Sequence, residues 1–196
     1  MDDEKIYNNL YKLFHKNNTN YDLHILNIYF VFKNIRNGCF ISLNLSKNNS
    51  NKLDLLLDKL ELYYKKYYII RKDIKYYFYC ISKKIIKKEL FKHTKHMRSI
   101  MRDKSMTTLE IGKFLGYECP GDVSNRNFRK KVYSFNIMYK TYEVNSCKHL
   151  YSYICKELDI NKIIKQLKLV NKMNRLIDKY LSNKLDGEIV FQLELL

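Results

Sequence analysis

Glycine and proline, the residues that most readily interrupt a helix or strand, are scarce: the chain has five Gly and one Pro. Four of these six, Gly112, Gly116, Pro120 and Gly121, gather within ten positions, which makes that stretch the most informative punctuation in the sequence. Just before it, Thr107-Thr108-Leu109-Glu110 has the form of a capping box, in which Thr107 accepts from the backbone and Glu110 reaches back. A helix is expected from there, with Ile111, Phe114 and Leu115 facing a core. Gly112 and Gly116, four apart, would leave one side open to close approach by another helix or a ligand. Pro120 cannot continue the helix, Gly121 can adopt positive φ, and Asp122 can cap the next element.

The pattern Thr-x-x-Glu-Ile-Gly-x-Phe-Leu-Gly-Tyr within residues 106–131 resembles the first helix of the helix-turn-helix family. The resemblance implies a second helix over 123–131 that enters the major groove, carrying Arg126, Arg129, Lys130 and Lys131. It also suggests a wing hairpin from 132–139 and 141–144. Here the inter-helix turn is longer than the family's and contains a proline. The string Leu-Gly-Tyr-x-Cys-Pro-Gly-Asp at 115–122 is in turn similar to uncharacterised proteins of large DNA viruses with AT-rich genomes, which implies an intracellular viral protein and no known chemistry.

Upstream, residues 82–102 read as a helix with two opposed faces. At about 100° per residue, Lys84, Lys87, Lys88, Lys92, Lys95, Arg98 and Arg102 share one sector, while Ile86, Leu90, Met97, Ile100 and Met101 lie opposite. Such a cationic face suits an anionic partner. The whole chain agrees: 37 Lys and Arg against 20 Asp and Glu give a net charge of +17, a field that favours nucleic acid, an anionic membrane surface or an acidic protein. An AT-rich genome also inflates Lys, Asn, Ile and Tyr. Arginine is less subject to that discount, and four of the seven arginines lie between Arg98 and Arg129, where guanidinium forks would suit phosphate oxygens.

At 196 residues the chain can bury roughly two-thirds of its unfolded surface. The expected fold is α+β: a helix-rich single domain with one or two β-hairpins and a C-terminal helical segment. The elements read as a helix at 6–15, a hairpin of 25–33 with 39–45 around Asn37-Gly38, a polar loop at 47–51 and a helix at 53–68 with a Glu61–Lys65 pair. Two strands then flank Arg71-Lys72-Asp73. The tail 149–183 is expected to be helical and broken near Asp159, with Ile163, Leu167, Val170, Ile177 and Leu181 in one stripe and Asn174 a polar register-setter. A last strand spans 188–196. The organisation is expected to be a core over 1–148 and a helical segment over 149–196 packed on it.

The five cysteines are odd in number and lack framework spacing, which points to a reducing compartment. Residues 1–4 are acidic where a secretory signal would be basic, and no apolar run nears the ~18–20 residues that span a bilayer. An intracellular setting is therefore expected: cytoplasm or nucleus of a host cell, or a virion.

Candidate chemistry is sparse. His93 and His96 are better read as interface histidines than as metal ligands, and Cys119 as a packing residue rather than a nucleophile, so no metal, cofactor or catalytic residue is assigned and an enzyme is disfavoured. Tyr63, Tyr64, Tyr67, Tyr68, Tyr76, Tyr77 and Tyr79 interleave with Lys65, Lys66, Arg71, Lys72 and Lys75. That is the composition of a stacking platform for single-stranded nucleic acid, or of a strand pair half of whose tyrosines face a core. The expected function is nucleic-acid binding, with phosphate contacts from Lys84, Lys88, Lys95, Arg98, Arg102, Arg126, Arg129, Lys130 and Lys131. The alternative is a structural or host-interaction protein whose lysine excess is compositional. Oligomeric state is left open.

Overall fold

The computed structural model describes residues 2–86, 113–116, 133–142, 147–155 and 158–195, with the backbone alone for 151–155. The fold is α+β, as expected: helices accompany two three-stranded antiparallel sheets. The chain divides into two compact units, Met1–Gly116 and Tyr117–Leu196. The boundary anticipated at 148/149 falls instead inside a strand.

In the first unit α1 (Asp3–Phe14) is capped by Asp2, whose carboxylate accepts from Lys5 N at 2.7 Å, and buries Ile6, Tyr7, Leu10 and Phe14. Helix α2 (Tyr21–Phe32) occupies the stretch anticipated as the first arm of a hairpin. Its residues 25–31 are all buried, so the apolar run carries no amphipathic period, and period alone cannot tell such a buried helix from a strand. Asn34 closes it at φ 58. Asn34 N donates to Val31 O at 3.1 Å and Ile35 N to Phe30 O at 2.9 Å, the two bonds of a Schellman cap. The Asn37-Gly38 doublet is therefore no hairpin turn. Gly38 opens β1 (Gly38–Asn44), where an added Cβ would meet the Phe114 ring at 2.1 Å and Ile81 O at 2.8 Å.

The polar run expected to be a loop is the first turn of α3 (Lys47–Lys59), because Ser46 caps it by accepting from Asn49 N at 3.2 Å. The helix also stops well short of the expected end. Leu62 N donates to Leu57 O and Glu61 N to Asp58 O, both at 3.0 Å, with Glu61 at φ 55. This second Schellman cap carries a glutamate where glycine is customary, so the stop has no sequence signal, and the expected Glu61–Lys65 helical pair does not form. The strands β2 (Tyr63–Arg71) and β3 (Ile74–Ser82) come next, as expected, joined by Lys72 at φ 47 and Asp73 at φ 61, a two-residue turn of the I′ kind built without glycine. The sheet order is β1-β3-β2. The short segment 113–116 docks on residues 35–37: Arg36 Nε donates to Leu115 O at 3.1 Å and Asn37 Nδ2 to Lys113 O at 2.7 Å. There Phe114 packs on Phe40, Leu115 is buried, and Gly116 has φ +81 with Arg36 Cα 3.0 Å from the Cβ it lacks.

In the second unit β4 (Tyr133–Thr141) is the central strand of the order β5-β4-β6. Thr141, expected to begin the return arm of a wing, is the last residue of β4, whose antiparallel partners are β5 (Cys147–Cys155) and β6 (Gly187–Leu195); 143 and 144 lie outside the described residues. Strand β5 replaces the first part of the anticipated helical tail. Helix α4 (Ile160–Tyr180) begins at Asp159, which accepts from Asn161 N at 3.0 Å. Its buried positions are Gln166, Val170, Met173 and Ile177, whereas Leu167 is 41% exposed. Asn174 fastens the helix to β6, donating to Ile189 O at 2.8 Å and accepting from Ile189 N at 2.7 Å. One side-chain amide thus serves the strand edge as a neighbouring peptide would. No helix among the described residues is long and apolar enough to cross a membrane.

The left-handed positions make opposite predictions. A glutamate at positive φ costs more than a glycine there, so Glu61→Gly is expected to raise unfolding free energy by about 0.5–1 kcal/mol. Gly116→Ala, strained and pressed on the Arg36 backbone, is expected to lower it by about 1–3 kcal/mol. Urea midpoints at constant slope check both.

Candidate nucleic-acid interface

Strand alternation separates the paired tyrosines and lysines of β2 and β3 onto two faces. The register places Tyr64, Lys66, Tyr68 and Ile70 of β2 on the same face as Ile81, Tyr79, Tyr77 and Lys75 of β3. Cys39, Ile41 and Leu43 of β1 join them there. This is the core face: Cys39, Leu43, Tyr79 and Ile81 are fully buried. Its polar groups are consumed internally. Tyr79 OH lies 2.8 Å from Ser50 Oγ and donates to Asp54 Oδ1 at 3.1 Å, while Lys66 Nζ donates to Ser50 Oγ at 3.0 Å and pairs with Asp54. Burial pushes the Tyr79 phenol well above its usual range. Lys75 is likewise engaged, 3.7 Å from the centroid of the Tyr68 ring.

The opposite face runs in cross-strand rungs: Gly38, Ser82 and Tyr63; Phe40, Cys80 and Lys65; Ser42, Phe78 and Tyr67; Asn44, Tyr76 and Ile69; then Ile74 and Arg71. None of these strand residues is a carboxylate. The Tyr67 and Phe78 rings are parallel, with centroids 4.9 Å apart and planes 7° from one another. Both are half-buried, as are Phe40, Tyr76 and Lys65, while Ser42 and Arg71 are exposed. Burial raises the Tyr67 phenol, which therefore stays neutral at physiological pH. Ile86 and Phe114 pack on the Cys80 end. Of these residues the sequence singled out Tyr63, Lys65, Tyr67, Arg71 and Tyr76; Phe40, Ser42 and Phe78 were missed, since their place depends on register.

The second unit carries a different cationic surface. Lys165, Lys168, Lys172, Arg175 and Lys179 of α4 are all exposed. Spaced by alternating threes and fours, they fall within a sector of about 80° and extend along about 21 Å of helix. The only carboxylate in α4, Asp178, lies outside that sector. The sequence held this signal, since the same wheel that grouped residues 84–102 groups these five.

Of the site residues named from sequence, Lys84 is exposed, but it stands in a bend after β3 rather than in a helix, its N–H donating to Ser82 Oγ at 3.1 Å. The helix expected over 82–102 therefore does not begin at Ser82, whose backbone is committed to β3 by its pairing with Gly38 and Tyr63. Lys88, Lys95, Arg98, Arg102, Arg126, Arg129, Lys130 and Lys131 lie outside the described residues, as do His93, His96, Cys119 and the helix-turn-helix-like segment apart from 113–116. Among the described residues no three His, Cys, Asp or Glu are grouped to hold a metal ion. No protein-family model, curated protein sequence or solved structure matches the chain.

The described free thiols divide by exposure. Cys39 and Cys80 are buried and Cys147 is exposed; burial pushes the Cys39 thiol up to about 12 and raises Cys80 further. The thiolate is the reactive form. Iodoacetamide at pH 8 is therefore expected to label Cys147 in the native protein and to reach Cys39 and Cys80 only after denaturation, as read by peptide mapping. Raised thiol pKa values stabilise the fold below the unfolded value of 9.0. That contribution should fade as pH rises from there toward 12, by up to about 1.4 kcal/mol per pH unit for each thiol.

Proposed function

We propose that the protein binds nucleic acid, chiefly through phosphate contacts. The observation that carries this reading is the α4 stripe, where Lys165, Lys168, Lys172, Arg175 and Lys179 line an exposed helical face without an intervening carboxylate. Compositional drift toward lysine would scatter charge over every solvent-facing position, yet here five of the six α4 cations share one sector, the sixth, Lys162, lying beside the Asp159 cap, and the neighbouring exposed positions hold Ile164, Leu167 and Asn171. A row of that length matches several successive phosphates, given one charge per 1.7 Å of duplex. The net charge of +17 adds a long-range field that speeds encounter with any polyanion. The basic residues of 84–131 belong to the same reading, adding phosphate contacts by their charge.

Binding of this kind releases counterions. If all five α4 cations engage a duplex, the log–log salt slope is about −4.5, and affinity falls a few hundred-fold between 50 and 200 mM salt. Lys172→Gln with Arg175→Gln is expected to make the slope shallower by about 1.8, measured by fluorescence anisotropy of a labelled oligonucleotide. Affinity that is independent of salt, or indifferent to the double substitution, would contradict the reading and favour a protein-interaction role.

A further inference from the structure

We infer that the outer edge of β6 is a homodimer contact, in which residues 191–195 of two copies pair antiparallel about Leu193 and join two three-stranded sheets edge to edge. Strand β6 ends its sheet, and the Asn174 clasp fixes which of its peptides point outward: Ile189 gives its N–H and its C=O to that amide rather than to β4. Antiparallel alternation turns the N–H and C=O groups of Phe191, Leu193 and Leu195 the same way. Among the described residues nothing pairs with them, and residues 192–195 are exposed. The other edges carry guards against strand addition that this one lacks. Strand β2 holds Lys65, Lys66 and Arg71, β5 holds Lys148 and a bulge opposite the Ile137–Met138 step, and β1 is clasped at Asn44 by Asn18. Residues 185–195 include Asp186, Glu188 and Glu194 but no Lys or Arg. In a chain of net charge +17, two such strands meet without cation facing cation.

Two constraints set the register. Pairing must stay clear of Ile189, whose backbone groups are occupied, and must not oppose like charges. About Leu193, that residue meets its own copy and Phe191 meets Leu195, each pair exchanging two N–H···O bonds. Gln192 then meets Glu194, an amide against a carboxylate, the same two side chains that bond within one strand. Centring on Gln192 would bring Leu195 onto Ile189, and centring on Glu194 would set carboxylate against carboxylate. The contact is therefore self-complementary in one register, as a two-fold interface requires. Helix α4 borders it. Ile160, Ile164 and Leu167, all exposed, share a sector of about 80° with Asn174, the side of the helix that meets the β6 edge.

Sedimentation velocity of the full chain, from micromolar to millimolar concentration, is expected to show the mass rising from that of one chain toward that of two. Salt should not weaken this association, because screening reduces repulsion between like-charged copies, whereas nucleic-acid affinity falls with salt; the two readings therefore fail separately. Leu193→Pro removes an outward N–H that β4 does not use, a place where an edge strand accepts proline, and should abolish the dimer while the circular dichroism of the monomer is kept. Should that variant lose its fold, the exposed Gln192 decides. Gln192→Glu sets carboxylate against carboxylate and should weaken the dimer, while Gln192→Lys sets opposite charges across the contact twice and should tighten it by about 2- to 30-fold. With Cys147→Ser removing the exposed thiol, Leu193→Cys should form a disulfide between the two copies on mild oxidation, since paired Cα atoms stand about 5.5 Å apart. A chain that stays monomeric throughout overturns the inference, as does a dimer that neither Leu193→Pro nor either Gln192 substitution alters, or absence of the cross-link at position 193.

Discussion

Full burial along one face of the three-stranded sheet governs the first unit. Because Cys39, Leu43, Tyr79 and Ile81 are withdrawn from water on one face, every other residue of each strand is turned the opposite way. A slip of one position in β2 would exchange Tyr64, Lys66 and Tyr68 for Lys65, Tyr67 and Ile69. The Ser50–Tyr79–Asp54–Lys66 network guards against that slip, since these groups meet only in the observed register. A buried hydroxyl without its partners would cost about 1–3 kcal/mol. The character of the outer face is thus set by contacts made on the inner one.

Scarcity of glycine leaves its mark on the backbone. Asn34, Glu61, Lys72 and Asp73 hold the left-handed conformations at two helix ends and a hairpin tip, tasks that glycine would perform with less strain. The turns are tolerated because the elements on either side are strongly determined, by a buried α2 and by the paired β2 and β3. The three described glycines sit where a side chain would strike something: Gly38 against Phe114, Gly116 against the Arg36 backbone and Gly187 against Lys140 O at 2.3 Å.

Cations in this chain divide into those spent on structure and those facing solvent. Lys33 pairs with Asp3 at 2.6 Å, Lys66 with Asp54, and the buried Arg36 reaches Leu115 O and Asn27. A count of net charge treats all of these alike. Lys168, Lys172, Arg175 and Lys179 in the second unit, and Arg71 in the first, remain on exposed positions. The proposed phosphate binding rests on this second group, because only solvent-facing charge can exchange counterions for phosphate.

By itself the sequence determined the α+β class, α1 with its inward Ile6 and Leu10, the β2–β3 pair about residues 71–73, the break near Asp159 and the final strand, because in each case a local period, turn or alternating pattern agreed with the eventual packing. It also held the tyrosine and lysine interleaving and the threes-and-fours spacing of the α4 cations. Tertiary structure alone decided that residues 25–32 are helix rather than strand, that α3 stops at Lys59, and that residues 147–155 form a strand, since uniform burial erases period and a left-handed glutamate announces nothing. It alone decided which of each tyrosine pair is core and brought Phe40, Ser42 and Phe78 beside Tyr67, for register joins residues more than twenty positions apart. Local chemistry is written along the chain; which side of a sheet it faces is settled only when something is packed against the other.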